Sequence, residues 1–131
     1  MNLVSNNHSV FNIHYHLIFV IKYRCKIIDD IISSRLKEIF EYIGKCYHVE
    51  IEERNHDVDY VHIQINAHPR TNMSKFINAY KSASSRLIKK EYPSIRSKLY
   101  KECFWSQSFC LLSTGGAPLS VIKKYIETQG E

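Results

Sequence analysis

Residues 60–66 alternate without a break. Val61, Ile63 and Ile65 are apolar, while Tyr60, His62, Gln64 and Asn66 are polar. A period of two belongs to a β-strand, whose successive side chains point to opposite faces. A strand apolar on one face and polar on the other fits an antiparallel sheet covered on one side only. The chain must therefore supply helices to cover the apolar face. It is left with a second face on which a tyrosine, a histidine, a glutamine and an asparagine stand in line.

The rest of the chain reads in the same terms. Residues 11–23, FNIHYHLIFVIKY, are rich in aromatic and β-branched types and lack Gly and Pro, so they form a strand, central and buried along its second half. Asp29 or Asp30 caps a helix whose stripe is Ile32, Leu36, Ile39, Phe40 and Ile43, with Gly44 near its end. Residues 48–54 form a second strand and 55–59 a turn into the third. Pro69 breaks the pattern. Thr71 or Asn72 then caps a second helix with Phe76, Ile77, Tyr80, Ala83, Leu87 and Ile88 along one side, and Pro93 ends it. A basic connector, 96–102, leads to a fourth strand region at 103–113. The turn TGG follows, and Pro118 suits the first position of a last helix, about 117–131. The order β-α-β-β-α-β with an additional C-terminal helix is the ferredoxin-like α+β plan, an antiparallel sheet with helices on one face. Its length of 131 residues fits one domain, 1–131.

Composition narrows the function classes. The formal net charge of +5 is a moderate basic excess, compatible with a polyanionic partner. No apolar stretch is long enough to span a membrane, and the first residues lack the charged and apolar regions of a secretory signal. The four cysteines, Cys25, Cys46, Cys103 and Cys110, include no C-x-x-C pair. They are expected to be reduced thiols in a cytoplasmic protein rather than zinc ligands.

Four groups carry candidate chemistry. Tyr60, His62 and Gln64 share one strand face, where neighbouring side chains can grip a metal or a phosphate. Tyr125 and Gln129 lie one turn apart on the last helix, and a tyrosine can serve as a covalent nucleophile. His14 and His16 have H-x-H spacing on the first strand, with His16 expected to be hydrogen-bonded within the sheet. Lys75, Lys81, Arg86, Lys89 and Lys90 crowd the second helix and are candidates for DNA phosphates. They are spread around the helix rather than striped, as on an ordinary solvated face.

Two segments carry a resemblance. HYHLIFVIKYR near the N-terminus and SFCLLSTGGAPLSVIKKYIETQ at the C-terminus resemble the corresponding blocks of the single-tyrosine HUH transposases of the insertion-sequence 200/605 group, and the order of elements agrees across nearly the whole chain. The resemblance implies a homodimer acting on single-stranded DNA with hairpins at element ends. Tyr125 would attack a phosphate to give a 5′-phosphotyrosine link and a free 3′-hydroxyl. It also implies Mg²⁺ or Mn²⁺ held by the histidines of the third strand and by Gln129, and a last helix exchanged between subunits. The family strand reads Asp-His-hydrophobe-His, whereas residues 59–62 read Asp-Tyr-Val-His. Tyr60 stands in the first ligand position, and a neutral phenol is a poor ligand for Mg²⁺. Three outcomes follow: cleavage with His62, Gln129 and waters sufficing; a weakened or inactive descendant that still binds DNA hairpins; or a rewired site using His56, Asp57 or a histidine of the first strand. A metabolite-binding module or an RNA-recognition domain would share the topology, but neither accounts for KKYIETQ, and the exposed-aromatic pattern of the latter is missing.

Overall fold

A computed structural model of the chain describes residues 5–6, 9–10, 13–113 and 119–129. Strands β1 (Ser5–Asn6) and β2 (Ser9–Val10) pair with each other. They are followed by β3 (Ile13–Val20), α1 (Asp30–Tyr47), β4 (Val49–His56), β5 (Tyr60–Ala67), α2 (Met73–Glu91), β6 (Cys110–Ser113) and α3 (Leu119–Thr128). The last four strands to form one sheet lie in the order β4-β5-β3-β6, and every neighbouring pair is antiparallel. This is the expected α+β plan.

The alternation of β5 decides the layering. Val61, Ile63 and Ile65 join Leu17 and Phe19 of β3 in the main core, beneath α1 and α2. Asp29 caps α1 by accepting the Ile32 N–H at 2.8 Å, and Asn72 caps α2 by accepting that of Lys75 at 3.0 Å. Both helices then turn their apolar stripes inward, with Phe40 against Phe76 and Tyr80 edge-on.

Gly44 does not end α1, which continues three residues to Tyr47. It is buried, and a Cβ there would sit 2.6 Å from the Val49 carbonyl oxygen. Its role is close approach to β4 rather than termination. The region 103–113 is strand only from Cys110. Before that, Trp105 forms an isolated bridge with Ile21 and donates its indole N–H to Ser84 at 2.8 Å. The connector holds two 3₁₀ turns, Pro93–Lys98 and Tyr100–Glu102. The TGG turn and Pro118 lie outside the described residues.

The second sheet face is covered in part by α3. Ile122 and Ile126 pack on Ile18 and Val20, with Tyr60, Cys110, Leu112 and Tyr125 around them. A ten-residue helix is too short to persist alone in water. Two buried isoleucines, at roughly 1.5–3 kcal/mol each, are a modest anchor.

Candidate active site

The turn after β3 and the start of β5 brace each other. Tyr23 and Arg24 both have φ of 54°, a left-handed backbone that costs a non-glycine residue energy. Arg24 donates from Nε to the buried Asp59 carboxylate at 3.0 Å, and the Ile21 N–H reaches the Asp59 carbonyl at 2.9 Å. The K-Y-R segment and the aspartate of D-Y-V-H are therefore one structural unit. It fixes where Tyr60 and His62 emerge.

From that point β5 presents Tyr60, His62 and Gln64 on the face opposite the main core, facing Val20, Ile18 and His16 in register. Tyr60 turns into the apolar cluster beneath α3. Burial, with Asp57 and Asp59 nearby, pushes its phenol above the ordinary value. His62 instead meets His16 of β3, the two ring nitrogens 2.9 Å apart. Burial and then His16 lower the His62 pKa, while Glu53 pulls it the other way. These histidines, Glu53, Asn55 and Gln64 line a cavity of about 190 Å³.

Tyr125, on α3, packs against the same apolar cluster as Tyr60. Ser108 Oγ is 3.1 Å from its phenol oxygen, and Ser108 also donates to Gln129 Oε1 at 2.9 Å. A serine hydroxyl has one proton, so with that proton given to Gln129 the phenol is the donor to Ser108. The phenol's lone pairs are thus left for an electrophile. Ser106 donates to the same Gln129 oxygen at 2.8 Å. Burial raises the Tyr125 pKa, partly offset by Ser108. Gln129, Ser106, Ser108, Lys22 and Tyr23 line a second cavity, of about 310 Å³. One ammonium and several hydroxyl and amide groups make it suited to a phosphate.

Tyr125 and Gln129 are thus held together through Ser108, whereas His62 and Gln129 line different cavities. Tyr60 belongs to neither. The ligand set expected for a divalent ion is not gathered within one subunit. Among the described residues no group of three or more His, Cys, Asp or Glu is placed to hold a metal. His56 is 3.6 Å from Asp30, and Asp57 accepts the Val58 N–H at 2.7 Å, so neither turns to His62. His14 is taken by Glu52 at 2.7 Å.

The basic residues of α2 divide. Lys81, its pKa lowered by burial, donates to the carbonyls of Ser106 and Gln107 at 2.7 and 3.0 Å. Lys89 donates to the Glu102 carbonyl at 3.1 Å. Lys75, Arg86 and Lys90 are exposed, on the helical layer across the sheet from Tyr125. The four cysteines are free thiols, and among the described residues no helix is long and apolar enough to cross a membrane.

Sequence reasoning did not find Ser106, Ser108, Glu53 or the internal use of Lys81. The S-Q-S spacing beside the FCLL block was the one signal that could have pointed to the serines. His16 was expected to be bonded within the sheet, and its partner proves to be the other candidate histidine.

Comparison with known proteins follows the same elements. The family model described as "Transposase IS200 like" matches residues 9–129. The ISDra2 transposase TnpA of Deinococcus radiodurans is 32% identical over 120 residues, covering 92% of this chain and 86% of that protein. The transposase for insertion sequence element IS200 of Salmonella typhimurium is 24% identical over 124 residues, covering 95% and 81%. Among solved structures, a candidate transposase of D. radiodurans superposes with a TM-score of 0.86 at 28% identity, over 96% of this chain and 97% of the other. A REP-associated tyrosine transposase bound to a REP hairpin shares the fold, with a TM-score of 0.61 at 8% identity, over 95% and 68%. With a family match that runs from β2 through the Tyr125 helix, the chain belongs to the IS200-like transposases.

Proposed function

We propose that residues 1–131 act as one domain that cleaves and rejoins single-stranded DNA at element ends, with Tyr125 as the nucleophile. The phenol oxygen attacks phosphorus and the bond to the 3′ oxygen breaks. The phenol loses its proton towards Ser108 and solvent, and the departing 3′ oxygen takes one up. A 5′-phosphotyrosine link and a 3′-hydroxyl result, and attack by that hydroxyl reverses the step. The observation that carries this reading is the Tyr125–Ser108–Gln129 chain beside the cavity that also holds Lys22. The net charge of +5 suits a DNA partner, and the hairpin-bound neighbour makes folded single-stranded DNA the partner to test.

The reading includes a divalent ion, Mg²⁺ or Mn²⁺, with His62 among its ligands; bound there, it would polarise the scissile phosphate. Gln129 would have to leave Ser106 and Ser108 to join His62, or come from the partner subunit's helix. The second route accords with the small anchor of α3 and with a homodimer. A second reading, a descendant that binds hairpin DNA without cutting it, is favoured by the position of Tyr60. That side chain is packed under α3, where it offers no ligand to the His62 cavity.

Incubation with hairpin-bearing single-stranded DNA and Mn²⁺, followed by a denaturing gel, separates the two. A covalent adduct that disappears in Tyr125→Phe supports cleavage. Salt-sensitive binding without adduct supports the second reading. An adduct that persists in Tyr125→Phe refutes the assignment of the nucleophile. Sedimentation of a concentrated sample as monomer alone would sink the exchanged-helix dimer.

A further inference from the structure

Two turns beside the Tyr125 cavity carry an aromatic pair that the cleavage chemistry does not use. A 3₁₀ turn, Lys22–Arg24, follows β3, and the turn Tyr100–Glu102 comes just before Trp105. Both depart from ordinary backbone geometry. Tyr23 and Arg24 have φ of 54°, and Lys101 and Glu102 have φ of 48° and 58°. Left-handed backbone at residues that carry side chains persists only where the surroundings enforce it. Such residues gather at ligand clamps and active sites.

Here the surroundings do enforce it. The Lys22 N–H donates to the Phe104 carbonyl at 2.9 Å and ties the two turns together. Arg24 fastens the first turn to Asp59 at 3.0 Å. Lys89 of α2 fastens the second by donating to the Glu102 carbonyl at 3.1 Å. As a result Tyr23 and Tyr100 meet edge to face, with ring centres 4.7 Å apart at 80°. Burial does not account for the arrangement, since the two residues stay 49% and 46% exposed. Each ring also has an ammonium over it, Lys22 at 5.1 Å from the Tyr23 centre and Lys101 at 5.4 Å from that of Tyr100. Exposed large side chains that gather within a charged rim mark an interaction site. Lys22 and Tyr23 line the cavity that holds Ser108 and Gln129. Lys101 and Lys89 line an open groove of about 530 Å³. The aromatic pair therefore adjoins the place suited to a phosphate.

We propose that Tyr23 and Tyr100 form a stacking platform for unpaired bases next to the scissile phosphate, with Lys22 and Lys101 taking the flanking phosphates. A single strand needs a π face for each base and a cation for each phosphate, and every base has a π face to offer in return. An ammonium over an exposed ring stands where a base would lie. On its flexible stem it swings to a phosphate as the base takes its place. The clamped turns hold the rings before the strand arrives, so little freedom is lost on binding. The platform holds the strand without reading its sequence. The inference rests on the proposed function for its ligand, single-stranded DNA, and not on cleavage.

The test uses the full-length chain in the Tyr125→Phe background without added metal, so that binding is read apart from cleavage. The probes are a short labelled strand of mixed sequence without a hairpin, and the same sugar–phosphate chain with its bases removed, both followed by fluorescence anisotropy. Tyr23→Ala and Tyr100→Ala should each weaken the base-bearing strand at least about fivefold and the base-free strand less than about twofold. Tyr23→Phe and Tyr100→Phe keep the π face and should stay within about twofold on both. Lys22→Ala and Lys101→Ala should each flatten the slope of log affinity against log salt by roughly 0.7. Where an alanine variant melts early, the leucine variant, which keeps apolar bulk without a π face, takes its place with the same expectation. Unchanged affinity for the base-bearing strand overturns the platform and leaves the Tyr125 reading, scored by the gel assay, in place. An equal loss on both strands also overturns it, since that marks lost backbone contacts rather than stacking. A chain that binds neither strand overturns the platform and the DNA reading together.

Discussion

The hydroxyl of Ser108 and the phenol of Tyr125 lie 3.1 Å apart, bridging the segment before β6 to the last helix. Ser108 donates its hydroxyl hydrogen bond to Gln129 Oε1, so the hydrogen bond it accepts is what orients the phenol. Ser108→Ala removes both contacts. Adduct formation on single-stranded DNA should slow by roughly fivefold, the equivalent of about 1 kcal/mol for one neutral hydrogen bond. A single-turnover time course on denaturing gels reads this, and an unchanged rate would deny Ser108 its positioning role.

Lys81 supports that segment from behind. Its ammonium is half-buried and bonded to the carbonyls of Ser106 and Gln107. Lys81→Met keeps the apolar stem and leaves two carbonyls without their donor. A loss of about 1–3 kcal/mol in folding stability is expected from a urea titration, together with slower adduct formation. The affinity for DNA should fall less than in Arg86→Ala, whose side chain is exposed. The opposite ranking in a filter-binding assay would restore Lys81 to the DNA surface.

His62 makes folding sensitive to acid. Burial and His16 hold its pKa below the ordinary 6.5. Between that lowered value and 6.5 the unfolded chain takes up a proton that the folded chain refuses. Stability therefore falls as pH drops through this window and is complete above it. In His62→Asn the urea midpoint should decline less between roughly pH 7 and pH 5. An equal or steeper decline would place the acid-sensitive group elsewhere.

Gly44→Ala would ordinarily strengthen a helix by about 1 kcal/mol. Here the new methyl would meet the Val49 carbonyl oxygen at 2.6 Å, and that oxygen belongs to the backbone of β4. Net destabilisation of about 1–3 kcal/mol is expected in a thermal or urea melt. A more stable variant would mean that β4 can give way at that point.

The fold was legible because the periods were clean. The alternation of residues 60–66 and the stripes on α1 and α2 leave one economical burial scheme, and their caps at Asp29 and Asn72 are local chemistry. The pairing of Tyr125 with Gln129 was also legible, since one helical turn sets it. The limits of α1 were not, because Gly44 answers to a neighbouring strand rather than to its own helix. The fate of Lys81 was hidden for a related reason, since its carbonyl partners lie 25 and 26 residues away.

By itself the sequence determined the elements, their order and the apolar face, which are properties of spacing and residue type within short windows. Its resemblance to the transposase family is what singled out Tyr125 as the candidate nucleophile and position 60 as lacking a histidine. Tertiary structure decided which polar groups meet. The register of β3 against β5 sets His16 against His62, and a one-residue bulge brings Glu53 to them. The packing of α3 sends Tyr60 into an apolar cluster and gives Gln129 to Ser106 and Ser108. Register and bulges depend on contacts between segments far apart in the chain, and a shift of one residue moves every side chain to the other face.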